Sequence, residues 1–66
     1  MKNNIRVARA EVRMTQQQLA DEVDVSRQTI NAIESGKFVP STVLALKIAR
    51  IFEKRVEEIF SLEEGD

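Results

Sequence analysis

One short segment of this chain concentrates polar side chains of three kinds. Residues 26–29 read SRQT, so a hydroxyl, a guanidinium, an amide and a second hydroxyl follow one another, and Asn31 comes two positions later. Such a run presents hydrogen-bond donors and acceptors in a fixed pattern. The segment therefore predicts a surface that binds a partner with a matching pattern, although each residue is equally compatible with an ordinary solvated helix position.

Two short amphipathic helices are predicted to position this segment. The letters TQQQ form a capping box, in which Thr15 caps a helix and Gln18 reaches back to it, and Ser26 caps the next helix. Asp24 interrupts the helical pattern between them, and Val25 is predicted to fill the crossing. The apolar positions of both helices recur at helical spacing, at Leu19, Ala20, Val23, Ile30 and Ile33. A link as short as DVS forces a steep crossing, which predicts a helix-turn-helix at about residues 16–35.

The remaining sequence predicts three further helices and no strand. One helix covers about residues 4–13, another follows the capping Ser41, and a last turn covers residues 56–60. Gly36 suits the end of the third helix, because a left-handed conformation costs glycine nothing. The predicted buried positions outside the helix-turn-helix are Ile5, Ala8, Val12, Leu44, Ile48, Ile51, Phe52 and Val56. Every periodic stretch repeats near 3.6 residues, so the predicted fold class is all-α.

Length and composition limit the possible functions. A chain of 66 residues is expected to form a single domain, residues 1–66. Without cysteine or histidine, it offers neither disulfides nor the usual zinc ligands. Glu57, Glu58, Glu63 and Glu64 lack a nucleophile or a histidine partner, so we expect a solvated acidic tail, no metal and no enzymatic activity. No apolar run is long enough to cross a bilayer and no leader is visible, which predicts a soluble, cytoplasmic protein.

The segment TQQQLADEVDVSRQTINAIESGKFVPS resembles the DNA-binding domain of phage repressor and Cro-like regulators, the xenobiotic-response-element family. The resemblance covers residues 4–60 and is densest over QLADEVDVSRQTINAIESGK. It implies a compact five-helix bundle of the lambda repressor type. It also implies a dimeric transcription regulator that binds double-stranded DNA. The net charge of −1 argues against a nucleic-acid ligand, but a weakly acidic protein still has room for a local basic face.

The resemblance also implies roles for individual residues. The third helix would enter the major groove, where arginine pairs with guanine and glutamine with adenine. The residues implied to contact bases are Arg27, Gln28, Thr29 and Asn31. Those implied to contact phosphates are Gln16, Gln17, Ser26, Lys37 and Phe38, the last through its backbone. Arg9 and Glu34 are implied to form a partly buried ion pair between the first and third helices.

The chain departs from the family pattern at its helix junctions. Asp24 and Arg13 stand where the family commonly has glycine; aspartate tolerates the left-handed region better than most residues, so the turn after the second helix is expected to survive. The letters EKR at 53–55 replace a glycine, an apolar residue and a cap. The fourth and fifth helices are therefore expected either to run together or to meet at an altered bend.

The C-terminal residues 59–66 are predicted to be a dimer contact or a tail. The apolar side chains there exceed what a small bundle buries, and the predicted interface residues are Ile59, Phe60 and Leu62. The alternative is that all three complete the core of the monomer. The predicted function is a homodimeric repressor, without cofactor or small-molecule ligand, that binds a near-palindromic operator on nucleoid DNA. Its half-sites would lie about 34 Å apart. The alternative is a helical protein-interaction module, antitoxin-like or coactivator-like, that keeps the fold without binding DNA.

Overall fold

Five helices and two very short strands form the protein. A computed structural model describes residues 1–66. The elements in chain order are β1 (Lys2–Asn3), α1 (Ile5–Glu11), α2 (Gln16–Glu22), α3 (Arg27–Glu34), α4 (Thr42–Ile51), α5 (Val56–Ile59) and β2 (Phe60–Ser61). The predicted all-α class with five helices is confirmed. None of the helices has the length and apolar character needed to span a membrane.

Side-chain caps begin three of the helices where the sequence predicts them. The hydroxyl oxygens of Thr15, Ser26 and Ser41 accept hydrogen bonds from the backbone N–H three residues later, at 3.0, 3.1 and 3.1 Å. The side-chain oxygen of Gln18 in turn accepts from the Thr15 backbone N–H at 2.8 Å, which completes the capping box. Each cap satisfies a backbone donor that the helix itself leaves free.

Left-handed residues end the first four helices by one repeated motif. Arg13, Asp24, Gly36 and Glu53 have φ values of 56°, 59°, 78° and 54°. The residue after each donates its N–H to a carbonyl five positions back, at 2.9 to 3.0 Å, which is the Schellman arrangement. Only one of the four is glycine, so the departures from the family pattern keep the expected backbone. At Glu53 the motif separates α4 from α5, and the two helices do not run together.

A core of twelve buried apolar residues lies among the helices. The core includes Ile5, Ala8, Leu19, Ala20, Val23, Ile30, Ile33, Ile48 and Phe52 from the predicted set. Val25 packs against this core from the turn between α2 and α3, as predicted. The prediction is wrong for Val12, which is exposed because α1 ends at Glu11 and Val12 is its C-cap.

The ends of the chain pair as a two-residue antiparallel ladder that the sequence does not predict. Lys2 lies opposite Ser61 and Asn3 opposite Phe60, and the Asn4 N–H donates to the Ile59 carbonyl at 2.8 Å. This pairing holds the segment after α5 against the bundle. Ile59 and Phe60 are consequently 1% and 7% exposed and belong to the core. Ile59, whose side chain is fully covered within the monomer, is therefore corrected as a dimer contact, whereas Phe60 still lines a surface groove and its dimer contact stays a prediction.

Candidate nucleic-acid interface

The α2–turn–α3 unit carries the polar segment on its outer side. Ala20 and Ile30 are fully buried between the helices, which brings the two backbones close together. The Val25 N–H donates to the Ala20 carbonyl at 3.0 Å and fixes the turn. Because α3 buries Ile30 and Ile33, its helical period turns Arg27, Gln28 and Asn31 toward solvent.

Arg27 and Gln28 stand at the start of α3 without partners in the protein. Both side chains are exposed, and neither forms a hydrogen bond or an ion pair with another residue. Thr29 differs from them: it is half-buried, and its hydroxyl lies 3.0 Å from the Ser26 hydroxyl. The two free side chains offer a guanidinium fork and an amide to whatever approaches this end of α3.

The residues predicted to contact phosphate differ in which of their hydrogen-bond donors are still free. The Gln17 amide donates to Asp21 Oδ1 at 2.8 Å and keeps a second hydrogen. The Lys37 ammonium forms no ion pair, although the backbone N–H groups of Lys37 and Phe38 both donate to the Ala32 carbonyl, at 2.9 and 3.2 Å. The Phe38 N–H is thus already used within the protein, and a phosphate contact by the backbone around Phe38 stays a prediction. Lys37 retains its side chain for that role.

Arg9 and Glu34 form a two-pronged ion pair between α1 and α3. Arg9 Nε donates to Glu34 Oε2 at 2.7 Å and Arg9 Nη2 to Glu34 Oε1 at 3.0 Å. Arg9 Nη1 also donates to the Met14 carbonyl at 2.9 Å, which ties the same guanidinium to the end of α1. The side chain of Glu34 is 1% exposed and that of Arg9 15%. This pair fixes the position of α3, and with it the direction of the exposed polar residues.

The pKa of Glu34 lies below its ordinary value. Burial by itself raises the pKa of this carboxyl, but hydrogen bonds from Arg9 and Gln16 and the charges of Arg9 and Arg6 outweigh it. The pKa of Arg9 is raised, mainly by its hydrogen bonds to Glu34. Glu34 is therefore an ionised, buried acceptor at neutral pH.

Two side chains near this pair were not predicted to act there. Gln16 Nε2 donates to Glu34 Oε1 and to Asn31 Oδ1, each at 3.2 Å, and so connects the start of α2 to α3. Asn3 Nδ2 donates to the Ile33 carbonyl at 2.9 Å. Neither contact has a signature in the sequence, because each joins residues that only the folded chain brings together.

An apolar groove lies between the chain's N-terminus, the loop before α4, α4 and α5. It is lined by Met1, Val39, Pro40, Thr42, Ala45, Leu46, Val56 and Phe60. Val39 and Leu46 are exposed large apolar residues on this groove, and Val43 on α4 is also exposed. Leu62, just after β2, is 79% exposed.

No group of acidic, histidine or cysteine side chains in the chain is arranged to hold a metal ion. The other two grooves are lined largely by charged residues. One contains Glu11, Lys54 and Glu58, and the other Glu22, Asp24, Lys47 and Arg50.

Known proteins resemble this chain over almost its whole length. The sequence model of a helix-turn-helix family matches residues 5–59. An uncharacterized HTH-type transcriptional regulator of Methanocaldococcus jannaschii is 48% identical over 66 residues, all of both chains. The uncharacterized HTH-type transcriptional regulator YgzD of Bacillus subtilis is 47% identical over 64 residues, 97% of each chain. A third, from Archaeoglobus fulgidus, is 47% identical over 66 residues, all of this chain and 93% of its own. The chain therefore belongs to the Cro/C1-type helix-turn-helix family of DNA-binding regulators.

Proposed function

We propose that the protein binds specific sequences of double-stranded DNA by inserting α3 into the major groove. The observation that carries this proposal is the pair of free, exposed side chains, Arg27 and Gln28, at the first turn of α3. The relatives described above are named as HTH-type transcriptional regulators, which supports the same function. In this docking, the N-terminal residues of the second helix of the motif face the base edges.

Arg27 and Gln28 would carry different parts of the sequence preference. The Arg27 guanidinium donates two parallel hydrogen bonds to guanine O6 and N7, and the Gln28 amide both donates to and accepts from adenine. Thr29, half-buried beside Ser26, would offer its methyl group to a thymine methyl. Gln16, Gln17, Ser26 and Lys37 would contact phosphates on either side of the groove. Those contacts add affinity without adding sequence preference.

The test compares Gln28→Ala with Gln17→Ala, two glutamine truncations at neighbouring helix starts. Duplexes are first selected from a random library, and affinities are then measured for the selected and for scrambled sequences at several salt concentrations. Gln28→Ala should lose about 1–3 kcal/mol on the selected duplex and little on scrambled DNA. Gln17→Ala should weaken both alike. Equal losses for Gln28→Ala on every sequence would remove it from base recognition, and no enrichment of any sequence would overturn the proposal.

We further propose that two copies associate through the apolar groove beside α4 and act as a homodimeric repressor in the cytoplasm, on nucleoid DNA. Val39 and Leu46 line this groove and are exposed, and a second copy is the partner that covers the same groove on both molecules. The two-fold axis would set the α3 helices about 34 Å apart on a near-palindromic site. Occupation of that site by the dimer blocks access to it, which is how a DNA-binding domain represses.

Sedimentation of two matched variants tests the dimer. Leu46→Asp places a charge in the groove, at a residue that is 54% exposed. Val7→Asp is the control, because it places a charge on α1 at a valine that is 58% exposed. Leu46→Asp should be monomeric at concentrations where the unmodified protein and Val7→Asp are dimers, and should bind a full palindrome no better than a half-site. An unmodified protein that sediments as a monomer would refute the dimer, and a Leu46→Asp variant that stays dimeric would place the contact elsewhere. A groove that instead captures a different protein, with no DNA bound, would favour the protein-interaction module.

A further inference from the structure

The charged side chains of α1 are divided between two sides of the helix. Arg6 and Arg9, three positions apart, both reach toward Glu34 at the end of α3. The only acidic residue of α1, Glu11, lies on the other side, where its carboxylate is 3.9 Å from the Lys54 ammonium. The side of α1 that faces α3 is therefore positively charged, although the net charge of the chain is −1.

The Glu34 carboxylate is already neutralised without Arg6. Arg9 donates to both of its oxygens, at 2.7 and 3.0 Å, and Gln16 donates to Oε1 at 3.2 Å. Arg6 Nε lies 3.7 Å from the same Oε1, which is too long for a hydrogen bond. Of the groups that lower the pKa of Glu34, Arg6 contributes least. Because the Arg6 side chain is also 77% exposed, its release from Glu34 costs little free energy.

Arg6 also stands close to the exposed polar side of α3. The Glu34 oxygen that Arg6 approaches accepts from Gln16 Nε2, and the same nitrogen donates to Asn31 Oδ1 at 3.2 Å. Asn31 is exposed on the side of α3 that carries Arg27 and Gln28. If that side enters the major groove, Arg6 lies at its flank, where the phosphates of the DNA backbone border the groove.

We propose that Arg6 binds a phosphate of the DNA strand that passes beside α1, and that it leaves Glu34 to Arg9 when it does so. This inference rests on the proposed DNA-binding function of α3. A guanidinium is always protonated and can donate two parallel hydrogen bonds to a phosphate. Arg6 thus exchanges a loose contact with a neutralised carboxylate for a direct contact with a second anion. The first helix thereby adds affinity for DNA without adding sequence preference.

Arg55 provides a matched control for Arg6. Its Nε lies 3.6 Å from Glu58 Oε1 and its side chain is likewise 77% exposed, but it stands before α5, outside the helix-turn-helix. Arg6→Gln and Arg55→Gln therefore remove one equally exposed charge each, whereas Arg6→Lys keeps the charge. Affinities for the selected and scrambled duplexes are measured over a salt series. They are measured again on the selected duplex with single phosphates replaced by neutral methylphosphonates, and urea denaturation compares the stabilities of the variants.

Arg6→Gln should weaken the selected and scrambled duplexes alike, and should reduce the slope of log affinity against log salt by about 0.9 for each bound copy. Arg55→Gln should keep the slope of the unmodified protein. One phosphate beside each bound copy should matter only when residue 6 is charged. Its methylphosphonate should weaken the unmodified protein, Arg55→Gln and Arg6→Lys, and should leave Arg6→Gln unaffected.

Three results would overturn the inference: equal slopes in Arg6→Gln and Arg55→Gln, no phosphate whose effect depends on Arg6, or a larger loss of stability in Arg6→Gln than in Arg55→Gln. The last result would show that Arg6 is needed at Glu34. All three leave sequence-specific DNA binding by α3 intact. If the unmodified protein prefers no sequence at all, the proposed function fails together with the inference.

Discussion

Replacing Glu34 with glutamine should remove a large part of the protein's stability. Glutamine keeps the shape of glutamate, but in either orientation its NH₂ group has to face a donor of Arg9, at 2.7 or 3.0 Å, and in one of them it also faces Gln16 at 3.2 Å. At least one hydrogen bond to a charged group is lost, worth about 1.5–3 kcal/mol. The Arg9 charge also loses its counter-ion, although Arg9 is 15% exposed and regains some hydration. We expect a loss of about 3 kcal/mol, the low end of the range for a broken buried ion pair.

Such a loss is large for a chain of 66 residues, whose whole free energy of unfolding is expected to be roughly 3–10 kcal/mol. Urea denaturation followed by circular dichroism measures it, at one fixed protein concentration, because a dimer's stability depends on concentration. The double variant Arg9→Met/Glu34→Gln is the control. It should be less destabilised than Glu34→Gln alone, since it leaves no unpaired charge. A loss below about 1 kcal/mol in Glu34→Gln would mean that the pair behaves like an exposed one, and would refute its role in fixing α3.

Glu34→Gln also isolates the contribution of Glu34 to the pH dependence of the free energy of unfolding. The pKa of Glu34 is lower in the folded protein than in the unfolded chain, so the unfolded chain binds the proton first as the pH falls. The stabilisation is therefore complete above the unperturbed pKa of about 4.3 and is lost as the pH falls through the folded value. The stability difference between the unmodified protein and Glu34→Gln should shrink over that range. A difference that stays constant down to low pH would contradict the lowered pKa.

Substitutions at four other residues test the elements that hold the interface. Glu53→Gly should stabilise the protein by about 0.5–1 kcal/mol in thermal unfolding, because a left-handed glutamate is strained; Asp24→Gly should gain less, since aspartate tolerates that region. Destabilisation by Glu53→Gly would show that its side chain matters more than its backbone. Ser26→Ala should cost about 1 kcal/mol in urea denaturation, because the α3 cap is lost. Ser26→Asp should retain most of that stability, because aspartate also caps helices. Equal losses in both variants would exclude capping as the cause. Asn3→Ala should lose about 1–2 kcal/mol and speed hydrogen exchange in β1 and at the start of α1; unchanged exchange there would show that Asn3 does not hold the N-terminus.

Local sequence determines the helices and the turn of this protein. Thr15, Ser26 and Ser41 act on backbone groups three residues away, so their capping role is visible in the sequence itself. The apolar spacing likewise predicts which faces of α2 and α3 are buried, because the period belongs to the helix and not to its surroundings. The same reasoning turns Arg27 and Gln28 outward. The helix-turn-helix and its exposed polar segment could thus be predicted from the sequence.

Long-range contacts decide the structural features that local sequence patterns do not predict. The short ladder between β1 and β2 joins opposite ends of the chain, and two-residue strands are too short to show an alternating pattern. This ladder buries Ile59 and Phe60, which the sequence alone assigns to a dimer contact. The amide orientation of Asn31 is likewise set by Gln16 on α2 and Glu34 on α3. A hydrogen-bond direction depends on which neighbour can only accept, and that neighbour is known only once the chain has folded.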